Sequence, residues 1–223
     1  MPDGQYSFYL HSDDRTDIAA MATISTISQP LRGEFIRTAA TAGAVVYQVD
    51  ARLPALIPVF FAGQLSAVRL CAVMALVSGT WSSLTGLPDE PENGEAALPV
   101  SPETEYQRRR YTLTLQNGRS GERVESVLTE ASSRLRGDLL RNLIITGLAL
   151  HTTAPELPRL LASMPVPPIS VSELQALVQQ MAGTADVNRA AAAVPDTPAA
   201  SAAPVSGSDT REIKKNMRRA FGD

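Results

Sequence analysis

Leu31-Arg32-Gly33-Glu34-Phe35-Ile36-Arg37 and, 104 positions later, Leu135-Arg136-Gly137-Asp138-Leu139-Leu140-Arg141 are two versions of one pattern. At that offset residues 31–57 align with 135–161 without a gap, and identities recur at Gly43/Gly147, Leu53/Leu157, Pro54/Pro158 and Leu56/Leu160. Chance gives about two identities over such a length, so the chain carries an internal repeat. Upstream, Tyr6-Ser7-Phe8-Tyr9-Leu10 meets Tyr111-Thr112-Leu113-Thr114-Leu115 once small indels are allowed. Both alternate apolar with polar residues and are rich in strand formers.

Each copy therefore reads strand, helix, helix. In the second copy Val124, Val127, Leu128 and Ala131 fall on one helical face, with Asn117 or Ser120 as cap; the first copy offers Ile18, Met21 and Ala22 behind Ser12 or Asp13. The second helix follows Ser28-Gln29-Pro30 or Ser132-Ser133. It carries Phe35, Ile36, Ala39, Ala40 and Val46, or Leu139, Leu140, Leu143, Ile144 and Leu148, and Leu-Pro is expected to end the unit at Pro54 and Pro158.

One short strand with two helices cannot bury its own apolar face, whereas two such units can pair strands antiparallel and interleave four helices around one core. The expected fold is mainly α: a tandem ribbon-helix-helix forming an intramolecular pseudo-dimer, with extra helices and a disordered C-terminal tail. The expected parts are a first unit with an apolar helical extension (1–80), an acidic linker (81–105), a second unit with its extension (106–182), a disordered tether (183–208) and an amphipathic helix (209–223). A linker of that length extends to roughly 80 Å and imposes no geometric obstacle.

The formal net charge of -3 over 223 residues argues against nucleic acid as a bulk figure, but charge is segregated along the chain. Residues 106–142 hold eight Arg against four carboxylates, residues 211–223 five basic residues against two acids, and residues 81–105 six acids and no Lys or Arg. Cys71, the single cysteine, excludes an internal disulfide and reads as a core thiol in a reducing cytoplasm. The N-terminal residues lack a signal-peptide pattern, and Pro58, Gly63, Gln64 and Arg69 break the most apolar region, 55–79, which reads as core rather than membrane span. His11 and His151 lack metal-ligand spacing and read as the ends of a strand and of a helix. No catalytic constellation, metal site or cofactor motif is present, and no enzymatic activity is expected.

In the expected ribbon Phe8, Leu10, Leu113 and Leu115 face the core, while Ser7, Tyr9, Arg110, Thr112 and Thr114 face outward. A two-stranded ribbon fits the major groove of duplex DNA, and the helix starts beside Arg32, Arg134 and Arg136 can hold phosphates. Arg108-Arg109-Arg110 directly before the second strand strengthens the DNA reading over that of a mere oligomerisation strand.

Taken together, Arg110 to Leu115, Leu135 to Arg141 and Leu157-Pro158, repeated in part at Leu31 to Arg37 and Leu53-Pro54, resemble the plasmid partition and stability proteins called ParR or StbB. The resemblance covers about two thirds of the chain with its tail and implies a cytoplasmic, plasmid-associated bacterial adaptor. Such a protein binds repeated centromere-like DNA, self-associates on it, represses its own operon and engages ParM, an actin-like ATPase filament. Two departures stand out: members have one unit per chain, and the first copy here opens with Pro2-Asp3-Gly4-Gln5 in place of the basic lead-in.

Residues 183–208, rich in Ala, Pro, Ser, Thr and Val, are too poor in large side chains to offset ordering entropy. Beyond them, Ile213, Met217, Ala220 and Phe221 lie opposite Lys214, Lys215, Arg218 and Arg219 on a short amphipathic helix that needs a partner to be stable. The resemblance implies that Ile213, Lys214, Lys215, Met217, Arg218 and Phe221 contact the filament. The alternatives are a ribbon-helix-helix repressor or an antitoxin, neither with a filament partner.

Overall fold

A computed structural model of the chain describes residues 4–80 and 108–192, with side chains as far as residue 183. The chain divides into two units, Met1–Val187 and Asn188–Asp223. The second lies, apart from the end of one helix, outside the described residues. So do the expected acidic linker, the remainder of the tether and the expected helix at 209–223.

The first unit is mainly helical with one two-stranded sheet. The first copy contributes β1 (Gln5–His11), α1 (Arg15–Ser25), a 3-10 turn (Gln29–Leu31), α2 (Arg32–Val49), α3 (Leu53–Phe60) and α4 (Ala67–Ser78); the second contributes β2 (Arg108–Thr114), α5 (Arg119–Glu130), α6 (Arg136–Thr153), α7 (Leu157–Ser163) and α8 (Val171–Ala192). Among the described residues no helix is long and apolar enough to cross a membrane.

β1 pairs antiparallel with β2, Ser7 facing Thr112, Phe8 facing Tyr111 and Tyr9 facing Arg110. Ser7 and Thr112 are also equivalent in the repeat, so the pairing is symmetric about them. Phe8, Leu10, Leu113 and Leu115 are buried under the ribbon, as the alternation requires. Packing then runs mainly between copies: α2 lies on α5, α6 and α7, while α6 lies on β1, α2 and α3. Neither copy encloses a core of its own.

Two repeated glycines permit this interlock. A Cβ on Gly43 would collide with the Leu143 carbonyl, and one on Gly147 with the Ala39 carbonyl, so α2 and α6 cross at backbone contact. Because 39/143 and 43/147 are equivalent pairs, the crossing obeys the same two-fold relation as the ribbon. Around it Ala39, Ala40, Ala42 and Ala44 on one side and Leu143, Ile144, Leu148 and Ala149 on the other are buried.

Further contacts recur copy for copy. The Thr16 hydroxyl donates to the Pro58 carbonyl, and its equivalent Ser120 to that of Ala162. Arg32 Nε donates to the Ile27 carbonyl and Arg136 Nε to that of Ala131, each closing the loop ahead of its own helix. His11 ends β1, His151 stands in the last turn of α6, and Cys71 is buried.

Several expectations are corrected. α1 is capped by Asp14, whose side chain accepts from the Asp17 amide, and α5 by Gly118 at a φ of 135, a conformation that favours glycine over Asn117. The buried residues of α1 are Asp17, Ala19, Ala20 and Ile24; Met21 packs against the core as expected, but Ile18 is only half-buried and Ala22 exposed, and a carboxylate that apolar spacing does not anticipate shares the inner face. Leu53-Pro54 and Leu157-Pro158 open the next helices rather than ending the units, since proline is well accommodated in a first helical turn. The last helix continues through the expected tether boundary at 183 to Ala192, where Ala-rich sequence favours helix.

The crossing yields a sharp test within one helix. Gly43→Ala should lower unfolding stability by about 2 kcal/mol or more, the overpacking cost exceeding alanine's helix preference. In the first turn of the same helix a Cβ on Gly33 would meet only the tip of Arg37, so Gly33→Ala should be neutral or stabilising by up to ~1 kcal/mol. Urea denaturation of both variants separates the two cases.

Candidate nucleic-acid interface

The pleat turns one side of the ribbon to the core and leaves the other uncovered. Ser7 and Tyr9 of β1 and Arg108, Arg110, Thr112 and Thr114 of β2 share the outer side, Ser7 and Tyr9 half-buried and the others exposed. Arg110 reaches diagonally across the strands, its Nη2 and Nε donating to the Ser7 hydroxyl at 2.9 and 3.2 Å. The Arg108 guanidinium stacks on Tyr9, 3.5 Å from the ring centroid. Both arginines are thus held against the ribbon, which lowers the ordering entropy either loses on meeting a ligand.

Arg109 does not share that side. The alternation sends it to the opposite one, where its guanidinium lies 5.2 Å from the ring of Tyr111, itself stacked on Phe8. Burial raises the Tyr111 hydroxyl above its ordinary pKa, while Arg109 and then Arg32 pull it down. A basic triplet read by composition treated three consecutive residues alike; only two are neighbours in space.

A groove runs from this outer side to the start of α6, lined by Ser7, Tyr9, His11, Arg108, Arg134 and Asp138. Arg134 is exposed in the same groove as Arg108, and Gly137 places the first turn of α6 close to the Ser7 carbonyl. Arg32 and Arg136 are occupied differently. Each spends its Nε on a loop carbonyl, and Arg32 adds a bond from Nη2 to the Ser25 carbonyl at 3.2 Å. The candidate filament residues Ile213, Lys214, Lys215, Met217, Arg218 and Phe221 lie outside the described residues.

The interaction that anchors the groove is one the sequence reading missed. Asp17, fully buried, accepts from the His11 amide at 2.9 Å and from Arg141 Nε at 2.6 Å. Arg141 also pairs with Asp14 at 3.2 Å, so one guanidinium of the second copy ties down the β1–α1 corner of the first. The sequence carries no clear signal of it: arginine recurs at 37 and 141, whereas the acid stands in only one copy, at Asp17. At the equivalent place in the other copy Gly121 stands where Asp17 does and packs directly on the Gln116 carbonyl.

Burial raises the Asp17 carboxyl above its ordinary pKa, and the hydrogen bonds from His11 and Arg141 only partly offset this. Arg141→Met should therefore cost about 3 kcal/mol or more at neutral pH by leaving a buried carboxylate unpaired. A carboxyl with a raised folded pKa contributes stability that is present below its ordinary range and lost as pH rises through the raised value. The penalty should accordingly shrink as the solution is acidified toward the ordinary carboxylate range. Asp17→Ala added to Arg141→Met should recover much of the loss, and simple additivity in a double-mutant cycle would contradict the coupling.

The chain matches the family model described as plasmid stability protein twice, over residues 4–74 and 109–178, one match to each copy of the repeat. No curated protein matches it. No solved structure matches it either. With both matches together spanning more than half of its length, the chain belongs to the plasmid stability protein family.

Proposed function

We propose that this chain serves plasmid maintenance as a partition adaptor of the ParR type, binding repeated centromere-like duplex DNA through an intramolecular ribbon-helix-helix pair. Membership of a plasmid stability family fits such a role. The observation that carries the DNA reading is the outer side of the ribbon, a symmetric antiparallel pair bearing Arg108 and Arg110 beside Ser7, Thr112 and Thr114. Its width suits the major groove, its arginines and hydroxyls suit base edges, and Arg134 at the start of α6 suits phosphate.

DNA is engaged at the ribbon, and the basic amphipathic segment 209–223 engages an actin-like ATPase filament. Many chains on repeated DNA then present many weak tails to one filament, and tethering supplies the effective concentration. Occupancy of the same DNA also represses the operon. A repressor or an antitoxin uses the same ribbon without a filament.

Co-sedimentation tests the reading. Full-length protein should carry upstream repeated DNA down with ATP-bound filaments of the actin-like protein encoded nearest to it, and a chain ending at Ser208 should bind the DNA but leave it in the supernatant. DNA binding by both chains without filament association by either would favour the repressor. Failure of both to bind the DNA would remove the adaptor reading.

A further inference from the structure

We infer that the ribbon reads DNA in one direction, on a site that is not palindromic. The inference rests on the DNA reading proposed above and deepens it.

The geometry of the pair is symmetric, but its side chains are not. The two-fold relation through Ser7 and Thr112 exchanges Tyr9 with Thr114 and Gln5 with Arg110. Among the described residues one end of the outer side therefore offers Tyr9, Arg110 and Arg108, whereas the other offers Gln5 and Thr114. The helix starts follow the same bias. Arg134, ahead of α6, lies in the groove with Tyr9 and Arg108, and its equivalent ahead of α2 is Pro30. Carboxylates also gather at this end: Asp13 is exposed and Asp14 and Asp17 share Arg141, with Asn117, Gly118 and Gly121 at the equivalent places, while Asp138 is matched by Glu34, so the two ends differ in the side chains offered to bases rather than in net charge.

A two-fold protein built from identical chains reads a palindrome because its two ends make the same contacts. Here the ends differ in chemistry. Arginine recognises guanine through O6 and N7, glutamine recognises adenine through N6 and N7, and threonine packs on the thymine methyl. The half-site under Arg110 should carry guanine and the half-site under Gln5 and Thr114 should not. An added phosphate contact from Arg134 deepens the engagement at the arginine end.

Selection of duplexes from a randomised pool by the purified full-length chain tests this. The expected consensus is non-palindromic with guanine in one half only. Arg110→Gln, which installs the residue its symmetry mate carries, should erase the guanine preference in that half, weaken binding to the selected duplex about tenfold, and leave the other half's preference unchanged. A palindromic consensus, or equal loss of preference in both halves, would overturn the inference while leaving the DNA reading intact. Duplexes retained without any consensus would likewise overturn the directionality alone, whereas retention of no duplex at all would overturn the DNA reading and directionality with it.

Discussion

Everything in the described fold depends on two helices being able to touch backbone to backbone. At the α2–α6 crossing Gly43 meets the Leu143 carbonyl and Gly147 meets the Ala39 carbonyl, and no side chain fits between them. That approach brings α2 of one copy onto α5, α6 and α7 of the other and lets the strands pair above. A short strand and two helices have too little apolar surface to offset their own ordering entropy, so the close crossing turns two insufficient units into one core.

A core closed from below leaves the outer side of the ribbon with no packing duty. Ser7, Tyr9, Arg108, Arg110, Thr112 and Thr114 are consequently available to a ligand, and two of the arginines are already held in place by Ser7 and Tyr9. Fusion of both copies in one chain has a second effect. Identical subunits must carry identical strands, whereas here β1 and β2 have diverged, and Asp17 clasps Arg141 where the other half has only Gly121. The proposed DNA adaptor would thus have two-fold geometry without two-fold chemistry.

The parts of the fold that could be read from sequence were those the repeat states twice. The strand alternation placed Phe8, Leu10, Leu113 and Leu115 in the core, and the 104-residue offset placed α2 and α6 with their buried faces. Gly43 and Gly147 were visible as an identity, though not as a crossing, since contact between helices from different copies leaves no local pattern. On α1 apolar spacing finds Met21 but not Asp17, since it has no place for a buried carboxylate, and Asp17 belongs there only through Arg141 in the other copy. Composition groups Arg109 with its neighbours because it ignores the pleat, which turns that side chain to the opposite face. Arg32 and Arg136, placed at the candidate interface for their position at helix starts, bond to their own loops. The C-terminal segment falls outside the described residues.

The central claim is that the two copies form one core and that neither folds alone. A chain carrying a protease site between residues 81 and 107 can be cleaved after folding and its mass followed by sedimentation in native buffer and after dilution from urea. The two halves should stay together one to one when cleaved, come apart only on unfolding, and regain helical structure only when mixed. Halves that separate in native buffer into independently folded monomers would contradict the account.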